Sequence, residues 1–247
     1  MLEFFPEDRA YTTKPTFKKL STSLRNLTPD PAYITAKQQE LEAINTLWFH
    51  DKSADAALQA TAKKLDVNKD TILDIGLSIE EDVVIMHQGR IASAFVAFPS
   101  GWDPASRRMM TLTELHDPVA DGEDLRRASE RISQMMCSGL GPWCRYVWTV
   151  TSSSKLSNHP SYTTIEPKSI DDLYFRYEYQ TFDTVTKNET SVFLIKTVVA
   201  PYREYVSTAE RHNLIVKYID SMSESVLKYK NLKKIQEILH DDRIAYE

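Results

Sequence analysis

The sequence predicts an α+β fold: an antiparallel sheet of five strands covered by helices, with further helices added at both chain ends. Three observations carry this. β-branched and aromatic residues cluster or alternate through residues 82–98 and again through 145–199, as strands with a buried face require. Apolar residues recur at three- and four-residue steps near both ends and once in the middle, the period of amphipathic helices. The 247 residues are 42% hydrophobic and 26% charged, an ordinary balance for a chain that buries a core.

Taken in order, the segment to about residue 31 is polar and broken by Pro6, Pro15, Pro29 and Pro31. It is expected to wrap the surface, with one short helix near 17–24. Leu41, Ile44, Leu47 and Trp48 place a helix over 34–49, and a second follows over 54–65. Val83 to Met86 and Ile91 to Phe98 read as two strands joined by a turn containing Gly89. The run Pro99-Ser100-Gly101-Trp102-Asp103-Pro104 suits neither regular element, and 112–119 is a short helix or turn ended by Pro118. Leu125, Ala128, Ile132 and Met136 share a helix face, closed by Gly139, Gly141 and Pro142. Strands follow over 145–151, 173–184 and 191–199, and two helices, 207–222 and 223–239, end the chain. Without repeats, low-complexity stretches or a long linker, residues 1–247 read as a single domain, with a core of about 70–205 and helical extensions over 1–69 and 206–247.

Two strands, an irregular helical stretch, a helix and three strands are the element order of a PAS-type domain. The expected fold is therefore a PAS-like five-stranded sheet.

Composition removes several function classes. The net charge of −5 gives no general support for phosphate binding, so no nucleic-acid partner is expected. No apolar run approaches a membrane span, and residues 1–14 carry Glu3, Glu7 and Asp8 in place of a signal's basic start. Cys137 and Cys144 make neither a disulfide framework nor a CxxC pair. A cytoplasmic location is expected. The GxGxxG, P-loop, GxSxG, HExxH and EF-hand patterns are all missing from the sequence.

His50, His87, His116, His159, His212 and His240 form no pair with metal-ligand spacing. A single-histidine haem site needs only one axial ligand and an apolar pocket, and 25 Phe, Tyr and Trp residues (9, 12 and 4) against 6 glycines favour such a pocket over glycine-lined phosphate loops. His116 stands out in Leu115-His116-Asp117-Pro118-Val119, where Pro118 fixes the chain's exit. Simple turn capping by His116 is the plain alternative.

Phe98-Pro99-Ser100-Gly101-Trp102 and Leu115-His116-Asp117-Pro118-Val119 resemble the FPSxW and IHxPV signatures of the haem-dependent oxidative N-demethylase family, in its oxygenase (alpha) subunit. Val147-Trp148-Thr149-Val150 is similar to that family's NWS strand. The stretch from Leu173 through Arg176, Glu178 and Gln180 to Phe182 resembles LRxERQTL, and Val192 to Thr197 resembles FTIRTY. The matches run in family order from about 82 to 205. Val147 and Tyr179 depart from the family's Asn and Arg.

The resemblance implies haem b as cofactor, O2 as co-substrate, a small amine or related nitrogen compound as substrate, and electrons from an external reductase of flavin or ferredoxin type. It makes His116 the metal ligand to haem iron, with Pro118, Trp102 and Trp148 around the cofactor. Arg176, Glu178 and Gln180, which share one strand face, become the catalytic candidates: Glu178 to orient an amine or pass protons, Arg176 to pair a haem propionate or Glu178. A thiolate ligand at Cys144 is the weaker alternative to His116. Lys228, Lys230, Lys233 and Lys234 form a basic stripe, either solvated or a reductase dock. A haem-binding sensor or carrier without turnover, and a haem-free binding module, remain open, as does an oligomer.

Overall fold

The computed structural model describes residues 4–22 and 29–241. The helix expected near 17–24 does not form within them: Lys18–Lys19 is a short strand, β1, paired with Cys144 and Trp143, and residues 23 and 24 lie outside the described residues. Long-range pairing overrides local propensity here, supported by Phe17 packed edge-on against Phe182 at 5.5 Å.

Helix α1 (Pro31–Ala43) starts where the Asp30 carboxylate accepts the Ala32 N–H, with proline at its first turn. It stops six residues before the expected end at Phe49. Leu47 is fully buried, and Trp48–His50 is strand β2, which adds to the sheet edge. Helix α2 (Asp55–Lys64) matches expectation, and the unexpected α3 (Ile72–Gly76) is capped by Thr71. Strands β3 (Asp82–His87) and β4 (Arg90–Phe95) are joined through Gln88 and Gly89 at φ 50° and 76°, the left-handed pair a tight hairpin needs.

Helices α4 (Leu112–His116) and α5 (Glu123–Met136) cross to β5 (Trp143–Thr151), β6 (Tyr174–Thr186) and β7 (Thr190–Pro201). Then come α6 (Tyr202–Tyr205), α7 (Ala209–Asp220), α8 (Glu224–Tyr229) and α9 (Lys233–Asp241). The last two replace the single helix expected over 223–239. Asn231 takes φ 55° and ends α8, since asparagine tolerates the left-handed conformation.

The described residues form one seven-stranded antiparallel sheet in the order β1-β5-β6-β7-β3-β4-β2. Seven strands replace the expected five; the additions are the short outer strands β1 and β2. Among the described residues no helix is long and apolar enough to cross a membrane.

Register divides the sheet into two faces. On β6, Phe175, Tyr177 and Tyr179 point one way and Arg176, Glu178, Gln180 and Phe182 the other. Partners directly opposite share a face, so Arg145, Val147, Phe193, Ile195 and Val84 join the Glu178 side. The opposite face is packed by α2 and α3 at one end and α6 to α9 at the other. The Glu178 side is covered by α4 and α5, with Ile132 and Met136 over Val84, Met86, Ala94 and Phe182.

Candidate active site

The turn after β4 is held from beneath. Asp82, fully buried, accepts the N–H groups of Ala97 and Phe98 at 3.0 and 2.9 Å. Lys37 of α1 lies 3.6 Å from Asp82 and donates to the carbonyls of Gly76, Ile79 and Glu81. Burial works against both charges, and the pair persists because each partner is saturated with hydrogen bonds. Gly101 at φ 81° then lets the chain reverse before Trp102.

Arg176 clamps the same turn from β6. Its guanidinium donates to the carbonyls of Phe98 (3.0 Å) and Leu156 and to Ser100 Oγ (2.9 and 3.1 Å), and only 2% of the residue is exposed. Ser100 Oγ in turn donates to Glu178 Oε1, and Gln180 Nε2 donates to Glu178 Oε2 at 2.6 Å. Arg145 Nε completes the chain by donating to Gln180 Oε1 at 2.6 Å. Both Glu178 oxygens are thus oriented by fixed donors.

Helix α4 begins with a capping box, the Thr111 hydroxyl accepting the Glu114 N–H while the Glu114 carboxylate accepts the Thr111 N–H. His116 is its last residue. His116 Nδ1 lies 2.8 Å from Ser129 Oγ, and that hydroxyl also lies 2.8 Å from the Leu125 carbonyl. A hydroxyl carries one hydrogen and a carbonyl can only accept, so Ser129 donates to Leu125 and accepts from Nδ1–H. The proton therefore sits on Nδ1, and Nε2 keeps its lone pair with no protein partner among the described residues. Burial, with the Arg145 cation nearby, pushes the ring's pKa down to about 4 and keeps it neutral.

His116 lines a cavity of about 310 Å³ between the sheet and α4/α5, with Pro118, Trp102, Glu178 and Gln180 also in its wall. The rest is mostly apolar: Phe49, Val84, Ala94, Ile132, Met136, Phe182 and Phe193 among others. This is a small-molecule site in character, an apolar hollow with few polar groups. A polar groove of about 770 Å³ adjoins it, sharing Ser100, Gly101, Trp102, Glu178 and Tyr229 and adding Arg176, Trp148 and Lys230.

Five of the seven residues singled out from the sequence thus meet at one cavity. Arg176 and Trp148 border the groove instead. Arg176 has four of its five N–H groups bound to the turn and to the Leu156 carbonyl, which makes it a positioning residue and leaves no two-pronged fork for a propionate. Trp148 turns to the opposite face of β5, where it stacks on Phe175 at 5.4 Å and lies tilted against Tyr218 at 4.4 Å. Cys144 is buried on that opposite face too, so no thiolate points at the cavity. The basic stripe is divided: Lys233 pairs with Glu224 and Lys234 with Glu237, while Lys230 faces the groove.

Sequence reading missed Arg107, Arg145, Ser100 and Ser129 as site residues. The signal for Arg145 was present, a charge two residues from Val147 on a half-buried strand. Ser129 gave none, because a serine on a helix face acquires meaning only from the histidine that packs on it.

No group of three or more histidine, cysteine, aspartate or glutamate side chains is arranged for a metal ion among the described residues. The donor set suits a metal that brings its other ligands with it, as haem does. Fold and site together define the class: an α+β protein with an apolar ligand cavity fronted by one neutral histidine whose Nε2 is available to a metal. The chain belongs to the family described as haem-dependent oxidative N-demethylase, alpha subunit-like, whose model matches residues 32–240. No curated protein matches it at significant similarity.

Proposed function

We propose that the protein is a haem-dependent oxidoreductase subunit that uses O2 to oxidise an amine or related nitrogen compound, in the manner of an oxidative N-demethylase. The observation that carries this is the His116 tautomer: Nδ1 committed to Ser129 and Nε2 left with a lone pair at an apolar cavity. The order of the central strands, β5-β6-β7-β3-β4, supports a PAS-like frame for that cavity. Family membership supports haem dependence and an assembly with further subunits.

His116 Nε2 would hold the iron of haem b, Ser129 would fix the ring's plane, and Trp102, Pro118 and Val84 would border the macrocycle. Bound haem supplies the activation of oxygen. In balance, an N-methyl amine, O2, two electrons and two protons give the demethylated amine, formaldehyde and water, with the electrons delivered by a separate flavin or ferredoxin-type reductase. Glu178, held by Ser100 and Gln180, presents a carboxylate where cavity and groove meet. There it accepts an N–H of a cationic amine at Oε1 or Oε2 and takes up or returns a proton. Gln180 keeps Glu178 in place, and Arg176 holds the Phe98–Ser100 turn that carries the first of those donors.

The test is an absorption spectrum of protein expressed with haem precursor, with His116→Ala alongside. A Soret band lost in the variant is expected; a band retained in full removes His116 as ligand, and a colourless wild type removes the haem reading. Glu178→Gln is then expected to keep the Soret band and lower amine-dependent O2 consumption by about 10²-fold or more. Unchanged consumption would remove Glu178 from the chemistry.

A further inference from the structure

The cavity and its adjoining groove are far more basic than the chain. The protein carries a net charge of −5, yet among the described residues Glu178 is the one carboxylate lining either hollow, against Arg107, Arg145, Arg176, Lys155 and Lys230. A lone glutamate among five cations is not a site built around a cationic amine by itself. It is a site that expects negative charge from its ligand.

Arg176 does not meet that need, since carbonyls and Ser100 occupy four of its five N–H donors. The two arginines of the apolar cavity differ. Arg145 engages only Nε, on Gln180, and its guanidinium lies 5.5 Å from the Phe17 ring and 5.7 Å from the Phe182 ring. Its Nη groups have no hydrogen-bond or ion-pair partner among the described residues. Arg107 has its Nε buried with no partner, and Nη1 meets only the Met110 sulfur at 3.9 Å. Unmatched N–H donors of a guanidinium beside an apolar hollow are poorly solvated, and the group that satisfies such a fork best is a carboxylate.

We propose that Arg107 and Arg145 are the carboxylate receptors of the His116 cavity, each taking an acid group of the ligand that fills it. This deepens the haem reading and rests on it for the ligand's identity: the two propionates of haem are the first source of such groups, and a carboxylate on the amine substrate is the second. With the arginines paired to acid groups of the ligand, Glu178 is left as the acceptor that faces the amine. Lys230, at the groove, remains free to steer anions inward.

Metal-free protoporphyrin IX and its dimethyl ester separate acid recognition from iron ligation. Binding of each to the apoprotein is followed by quenching of tryptophan fluorescence. The diacid is expected to bind about ten-fold or more tightly than the diester, and Arg107→Gln and Arg145→Gln, each checked for a native melting transition, are each expected to shrink that preference. The wild-type comparison needs no variant, so it stands even where a variant fails to fold. A preference that only one substitution shrinks removes the other arginine from the assignment.

The substrate source is read with N-methylglycine against its methyl ester. If the acid alone raises the melting temperature, and does so through the same arginines, the carboxylate belongs to the substrate. A diester that binds as tightly as the diacid, or porphyrins that do not bind, overturn the proposal if N-methylglycine also has no arginine-dependent effect. Failure of the haem reading shows separately, as haemin giving no His116-dependent Soret band while an acid-over-ester preference persists.

Discussion

The two faces of the sheet are built from the same strands and alternate residues, yet one is filled and the other is hollow. On the filled face, Phe175 lies 4.5 Å from Tyr205 and 5.4 Å from Trp148, and Phe4 stacks on Tyr146 at 4.3 Å. Aromatic rings and the four C-terminal helices pack against that face, and its edge at Trp148 and Tyr177 borders the groove. On the hollow face, a step of one residue replaces Phe175, Tyr177 and Tyr179 with Arg176, Glu178 and Gln180, and two helices stand off the sheet. The difference teaches that stability and function are divided by the two-residue period of β6.

That division is broken or sharpened most strongly at Phe175, which is fully buried. Phe175→Ala is expected to cost about 3–5 kcal/mol of stability, read by denaturant unfolding, while haem affinity in the folded protein stays as it was. A variant that loses haem without losing stability would mean that the faces are coupled.

On the hollow side the expected effect is smaller and falls on the ligand. Ser129→Ala removes the acceptor that fixes the His116 tautomer, with no large change of volume. Haem affinity is expected to fall by about 10–100-fold with little change in melting temperature of the apoprotein. Equal haem affinity would show that the ring is held by packing alone.

Much of this division was legible in the sequence. The alternation across 173–181 separates the two faces of β6 correctly, and the turn at Gly89 and the breakers Pro118, Gly139 and Gly141 bound their elements. What local pattern could not carry was pairing between distant segments. Trp48 continued a helical spacing but pairs with Phe95, and Lys18 looked helical but pairs with Cys144. The resemblance of residues 147–150 to the family's NWS strand places Trp148 at the cofactor. Its strand parity, set by Val147 opposite Glu178, sends it the other way. Phe17 also enters the cavity wall from a segment that precedes the family match over 32–240, so part of this wall belongs to the chain and not to the matched region.

The smallest expected effect tests how His116 is carried. Helix α4 spans only Leu112–His116, too short to hold itself by propagation, so its direction depends on its first-turn cap and on Pro118 after its end. Thr111 supplies that cap, accepting the Glu114 N–H at 3.2 Å while its own N–H and hydroxyl donate to the Glu114 carboxylate at 2.7 and 2.9 Å. Thr111→Ala is expected to cost about 1 kcal/mol of stability. If α4 is set by its cap, haem release should also quicken, because the imidazole is the helix's final residue and moves with it. If release is unchanged while stability falls, the Ser129 hydrogen bond positions His116 on its own, and the hollow face is held from α5 instead of α4.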